Sequence, residues 1–227
     1  MPEPPNVLRT SAGEMPLHDY RVRIGGREWS VLHTGAVLTQ EEEITFLREQ
    51  RDRVPYGVVL WPAAIALAHE IAARREECAG RRVLELGAGT GLPGILAASF
   101  GAQVVQTDRQ QLALSVCERN GARNDVTSIE HRLADWTHWD VEGRFDWILG
   151  SDILYAEAMH AHLLRIFDTM LAPGGRLLLS DPFRPSSLAL LEKMEASGWT
   201  VVVGKWSVAA GFEEPRAIGV FDLAPPR

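Results

Sequence analysis

Residues 83–94, VLELGAGTGLPG, decide how the rest of the chain is read. The apolar run VLEL has the character of a buried strand, and the glycines after it form a tight turn into a helix. α/β folds use such a turn to hold nucleotide-like ligands on backbone N–H groups. Two frames fit. Gly89, Gly91 and Gly94 give G-x-G-x-x-G, the dinucleotide pattern that suits NAD or FAD; Glu85, Gly87, Gly89 and Gly91 give E-x-G-x-G-x-G. In a dinucleotide site the first glycine closes the strand. Here the strand ends at Leu86, so the loop opens at Gly87, two residues too early for that frame. The second frame starts in register. It sets the Glu85 carboxylate at the strand's C-terminal edge, which suits a ligand that is cationic near its reacting centre better than a pyrophosphate. Asp108 follows 21 residues after Gly87, at the end of the next strand, where an acid accepts both hydroxyls of a ribose. NAD enzymes also want an acid there, so Asp108 does not separate the frames, and a tight turn with no ligand stays open as a third reading.

Outward from the loop the pattern is a steady alternation of strands and helices. The spacing predicts a helix from Pro62 to about Cys78 ended by Gly80, and strands at Arg82–Leu86 and Gln103–Thr107 flanking a helix at Leu92–Phe100. It then predicts a helix over Gln110–Asn120 stopping at Gly121, strands near Ser128–Leu133 and Phe145–Gly150, and a helix over Ala156–Leu171. The turn APGG leads to a strand at Arg176–Ser180, followed by a helix over Pro185–Ser197. Continuous apolar strands in βαβ order imply a parallel sheet covered by helices on both faces. The end differs. TVVV at 200–203 and AIGVFDL at 217–223 have no room between them for a crossover helix, so the last pair is read as an antiparallel hairpin. Before the core, YRVRIGGREWSVLHTG at 20–35 alternates apolar and polar residues about Gly25-Gly26 and reads as a β-hairpin, and TQEEEITFLREQ at 39–50 reads as a short helix capped by Thr39.

With 227 residues, 46% of them hydrophobic, the chain is expected to be a single domain: a loose tail over 1–19, a hairpin and helix extension over 20–56 and a catalytic core over 57–227. The net charge of −7, with Lys and Arg scattered, gives no footprint for a phosphate backbone, so no nucleic acid is expected as partner. Val54 to Ala68 carries no charge over fifteen residues, but it is short of a bilayer span and Pro62 interrupts it, so it reads as a buried loop and helix, with no membrane partner. Cys78 and Cys117 form no C-x-x-C or Cys/His ligand spacing, and the histidines suggest no metal site; a reduced, cytoplasmic monomer is the reading.

VLELGAGTG, with Thr107-Asp108 after it, resembles motifs I and post-I of the class I S-adenosylmethionine-dependent methyltransferases, and the closing antiparallel hairpin resembles their Rossmann-like seven-strand sheet of order 3-2-1-4-5-7-6. Within that superfamily PYGVVLWPAA, GLPGILAA, SDILY and SDPFRP resemble the seven-β-strand protein-lysine methyltransferases of methyltransferase family 16, over about Tyr20 to Leu223. The resemblance implies S-adenosylmethionine as cofactor and a protein lysine as acceptor. A small-molecule N- or O-methyltransferase on the same scaffold is the alternative, although no base or metal stands out for an O-nucleophile.

It also assigns the residues. Ser151, Asp152 and Tyr155 lie at the C-terminal end of the fourth core strand, which in an open α/β sheet faces the ligand crevice. Asp152 is expected to orient the acceptor amine and Tyr155 to pack on its stem or stabilise its charge. The competing reading makes Asp152 a helix N-cap and Tyr155 core. Trp61 resembles a tryptophan lining the methionine end of the cofactor, against a plain core indole. Asp135 resembles an acid that meets the adenine amino group, with Trp136 over the ring. Arg184 resembles an arginine that supports the substrate side, against a solvated loop residue.

Overall fold

The computed structural model describes residues 6–10, 13–34, 58–208 and 215–226. The helix expected over 39–50 lies outside them. A first hairpin pairs β1 (Val7–Thr10) with β2 (Gly13–Pro16), and a second pairs β3 (His18–Ile24) with β4 (Arg27–His33). The second is the hairpin foreseen at Gly25-Gly26, whose φ values of 61° and 83° need glycine. The first lies in the stretch read as a tail. Its Leu8 is buried with Leu17, Leu32, Ala113 and Val116, a contact set that no local pattern announces.

Helices α1 (Pro62–Ala73) and α2 (Arg75–Cys78) precede the core sheet. They were expected as one helix. The backbone leaves helical geometry at Arg74, whose guanidinium bonds Glu70 at 2.8 Å and Asp222 at 2.6 Å. The core then runs β5 (Arg82–Leu86), α3 (Leu92–Ser99), β6 (Gln103–Asp108), α4 (Gln111–Arg123), β7 (Glu130–Leu133) and β8 (Phe145–Ser151). It closes with α5 (Glu157–Met170), β9 (Leu171–Asp181), α6 (Pro185–Ala196), β10 (Thr200–Val208) and β11 (Arg216–Ala224).

The sheet order is β10-β11-β9-β8-β5-β6-β7, with β11 antiparallel to both neighbours and the other pairings parallel. Numbering these strands within the sheet reproduces the order 3-2-1-4-5-7-6. Strand alternation sorts the core: Val83 packs in the cluster with residues of α1 and α3, whereas Leu84 and Leu86 pack with α5 and α6.

Two local expectations are corrected. Helix α4 does not stop at Gly121 but runs to Arg123, with Asp125 in the left-handed region at φ 61° after it. Gly121 is there for space, since a Cβ on it would stand 2.5 Å from Val126 O. The turn APGG is part of β9: Phe145 pairs with Leu171 and Trp147 with Arg176, so 172–175 bulge out of the ladder.

Candidate active site

The glycine loop is held from beneath by buried side chains. Gly87, Gly89 and Gly91 are all left-handed, at φ 59°, 57° and 79°. Three consecutive loop carbonyls then point into the protein: Gly89 O accepts the Cys117 thiol at 3.1 Å, Thr90 O the Asn120 amide at 2.9 Å, and Gly91 O the Gln106 amide at 2.8 Å. A Cβ on Gly91 would lie 2.8 Å from Gln106 Nε2 and 3.0 Å from Cys117 Sγ, so glycine here makes room for two of the three anchors.

Glu85 belongs to this underside. It has no exposed surface, and its Oε2 accepts the Gly94 N–H at 3.1 Å and the Gln106 amide at 2.7 Å. Its Oε1 has no partner among the described residues. The carboxyl group therefore braces the start of α3 against the sheet, where the sequence reading set it beside the ligand. Burial pushes its pKa up to about 8, opposed by those two hydrogen bonds. A Cβ on Gly94 would overlap Glu85 Oε2, so Gly94, the third glycine of the dinucleotide frame, serves helix–strand packing.

Asp108 ends β6 at the rim of the loop, 8% exposed. Its two oxygens accept the backbone N–H groups of Gly89 at 3.2 Å and Gln110 at 2.9 Å. Burial raises its pKa while those N–H groups lower it. Each oxygen keeps acceptor capacity for a ligand hydroxyl. After β7 the chain is tied to this strand end by Ala134 N–H on Asp108 O at 3.0 Å. Asp135 is exposed; the hydroxyl and backbone N–H of Thr137, at 2.7 and 2.8 Å, hold its carboxyl below the usual range. Trp136 lies against the loop, its ring atom Cζ2 3.3 Å from the Cβ position of Gly87, and Ile153 Cγ2 is 3.1 Å from the same position.

The second half of the crevice forms at the ends of β8 and β9. Half-buried Ser151 pairs with Ser180 across the two strands. Asp152 then switches to φ 58°, its N–H donating to Ser180 O at 2.8 Å, and Phe183 makes the same switch at φ 62° beyond β9. The Asp152 carboxylate pairs with the Arg184 guanidinium, which also reaches Asp181 Oδ2 at 2.9 Å. Asp181 is fully buried and is held further by the Ser187 hydroxyl at 2.7 Å and the Arg184 N–H at 2.7 Å. Helix α5 is capped at Ala156 without a side-chain bond, and Tyr155 is 48% exposed, so the competing reading of Asp152 as N-cap and Tyr155 as core does not hold. Arg184 is likewise no solvated loop residue, its side chain being 18% exposed. Trp61, half-buried, caps α1, and the Ser180 hydroxyl donates to Ala63 O at 2.8 Å, fixing that helix start at the same strand ends.

The residues the sequence reading missed are Gln106, Cys117, Asn120 and Asp181. Gln106 had a signal, a lone amide inside the apolar strand VVQTD; the others sit at ordinary helical or strand-end positions. Among the described residues no cluster of three or more His, Cys, Asp or Glu is set to hold a metal ion, and no helix is long and apolar enough to cross a membrane.

The fold is that of the class I methyltransferases. The ribosomal protein L11 methylase from Lactobacillus delbrueckii subsp. bulgaricus superposes with a TM-score of 0.55, covering 73% of this chain and 77% of that one at 23% identity. The magnesium protoporphyrin IX methyltransferase (ChlM) from Synechocystis PCC 6803 with bound SAM also gives a TM-score of 0.55, covering 70% of this chain and 77% of that one at 17% identity. Residues 39–191 match the lysine methyltransferase family, and the chain belongs to that family. It is 31% identical to protein N-lysine methyltransferase METTL21A of Danio rerio, over 78% of this chain and 73% of the relative. It is 36% identical to histone-arginine methyltransferase METTL23 of Mus musculus, over 45% of this chain and 43% of the relative. The chain spans about half the length of the METTL23 relatives it matches.

Proposed function

We propose that the chain transfers the methyl group of S-adenosylmethionine to a nitrogen of a protein substrate, a lysine ε-amine before any other. The observation that carries this reading is Asp152: an acid held in the left-handed region three residues before exposed Tyr155 and just past β8, the strand that pairs with β5 where the glycine loop opens. Bound S-adenosylmethionine supplies an electrophilic methyl on a sulfonium. Asp108 would take its ribose hydroxyls, Asp135 the adenine amino group, the Trp136 ring the adenine face, and Trp61 with Ser151 and the loop the methionine end. The inward-turned carbonyls and buried Glu85 keep Gly87, Gly89 and Gly91 in shape for that ligand.

In-line displacement at carbon asks the protein chiefly to hold a neutral amine on the axis of the breaking bond. A free lysine has a pKa of about 10.4 and is mostly protonated, and removal from water pushes it toward the neutral form. Asp152 accepts a hydrogen bond from the amine and orients its lone pair, while Tyr155 lies along the stem. Arg184 shares the carboxylate, so the arriving group either joins that pair or takes its place.

The name of METTL21A supports lysine. A second reading, an arginine acceptor, is supported by the name of METTL23 and by the guanidinium already seated on Asp152. The test is a labelled-methyl assay on size-fractionated lysate, with hydrolysis of the labelled band. Methyl-lysine is the expected product; methyl-arginine favours the second reading, and label only in small molecules overturns a protein substrate. Asp152→Asn should keep S-adenosylhomocysteine binding and lose at least about a hundredfold in turnover, whereas Asp108→Ala should weaken binding of the adenosyl ligands. Full turnover in Asp152→Asn would remove the role given to that carboxylate.

A further inference from the structure

Among the described residues, strand β4 has a strand partner, β3, on one side only; on its other side Asn120 of α4 and Asn124, the residue that caps that helix, continue the ladder. Asn124 accepts the Ser30 N–H at 3.0 Å and donates to Ser30 O at 2.8 Å. Asn120 accepts the Leu32 N–H at 2.7 Å and donates to Leu32 O at 3.1 Å. Four helical residues rise about 6 Å and two strand residues about 6.7 Å, so amides one helical turn apart meet successive outward-facing residues of a strand. Asn120 does one thing more. Its second N–H reaches Thr90 O, the central carbonyl of the glycine loop, at 2.9 Å. The side chain is fully buried, and each of its polar hydrogens and its oxygen has a partner.

We propose that Asn120 is a positioning residue that makes docking of the β3–β4 hairpin and the shape of the cofactor loop a single coupled equilibrium. The inference rests on reading residues 87–91 as the cofactor loop. A shift of the Thr90 carbonyl must either draw Asn120 off Leu32 or leave a buried carbonyl unpaired, and neither is cheap. The other two loop anchors do not make this link. Among the described residues, the Cys117 thiol donates to Gly89 O alone, and Gln106 bonds Gly91 O, Glu85 and His131, all within the core. Because coupling is reciprocal, a ligand that fixes the loop tightens the hairpin, and a loosened hairpin weakens the ligand. The hairpin thereby becomes a place from which anything bound to it can tune cofactor affinity.

The test is amide hydrogen exchange on the full chain with and without saturating S-adenosylhomocysteine, read at Leu32 and Ser30 against Val220 in the central sheet. Ligand should slow Leu32 at least about fivefold beyond any slowing of Val220. Asn120→Ala should bind the ligand about tenfold more weakly, the net worth of one buried hydrogen bond, and β4 should no longer respond. Asn124→Ala, which frees Ser30 but leaves the Thr90 contact, should keep the response at Leu32. Ligand-saturated wild type whose Leu32 exchanges at the ligand-free rate overturns the coupling and leaves the cofactor reading standing. Folded wild type that binds no adenosyl ligand overturns the cofactor reading and the proposal with it. The wild-type measurement decides even where Asn120→Ala does not fold.

Discussion

Replacing Glu85 with Gln should change how stability depends on pH. Gln keeps an oxygen to accept the Gly94 N–H and the Gln106 amide, and puts its own amide nitrogen where the unpartnered Oε1 lies. The native carboxyl titrates near 8 against an ordinary 4.5. Below 4.5 both folded and unfolded chains hold the proton. Between the two values the folded chain keeps a proton that the unfolded chain has released, so stability falls as pH rises, and it levels off above about 8. At about 1.4 kcal/mol per tenfold change in proton affinity this amounts to roughly 5 kcal/mol. Local opening of the loop relieves part of it, so the measurable loss is about 2 to 5 kcal/mol. The assay is urea unfolding of the cofactor-free wild type and variant between about pH 5 and pH 9, plotting the difference in unfolding free energy so that other titrating groups cancel. That difference should move toward the variant as pH rises. A flat difference would mean that Glu85 ionises in the folded chain near its ordinary value, and the bracing role would then belong to a charged carboxylate.

Three further outcomes are expected. Gly121→Ala should lose about 2 kcal/mol or more in chemical unfolding, because its Cβ would press on Val126 O; helix propensity alone would have it gain about 1 kcal/mol. Arg184→Gln leaves Asp152 facing buried Asp181 without the shared cation, and should lower stability by about 3 kcal/mol in the same assay. Cys78 and Cys117 have no exposed surface and burial raises both thiols, Cys78 to about 11, so a colorimetric thiol reagent should find neither until the chain is unfolded.

The fold was legible where local pattern and tertiary role coincide. VLEL is apolar because both faces of β5 are covered, and the short link after TVVV forces an antiparallel partner. It was obscured where a residue serves a distant one. Gly121 looks like a helix stop and is a gap for Val126 O; Arg74 looks like mid-helix and turns out toward Asp222; Leu8 looks like tail and packs on α4. The site divides the same way. Glycines and strand-end acids announce themselves because backbone geometry restricts which residues can stand there. Asn120, Cys117 and Gln106 are placed by contacts far apart in sequence, and polar residues on a helix or strand carry no mark of which carbonyl they will meet.

The left-handed turn of backbone at Asp152 also bears on how this position can evolve. Glycine takes that conformation freely, and Asn and Asp are the side chains that enter it at least cost. Mutational drift at this strand end is thus cheapest among three residue types, of which one is charged and one is its neutral isostere; Phe183 shows that a bulkier side chain can hold the same backbone when its surroundings offset the cost. An acid and an amide are a single chemical step apart here, with the chain path unchanged. A lineage could pass from an acid to an amide at this strand end without rebuilding the loop, whereas a lysine or a serine at the same place would carry the added cost of a left-handed backbone, about 1 to 2 kcal/mol.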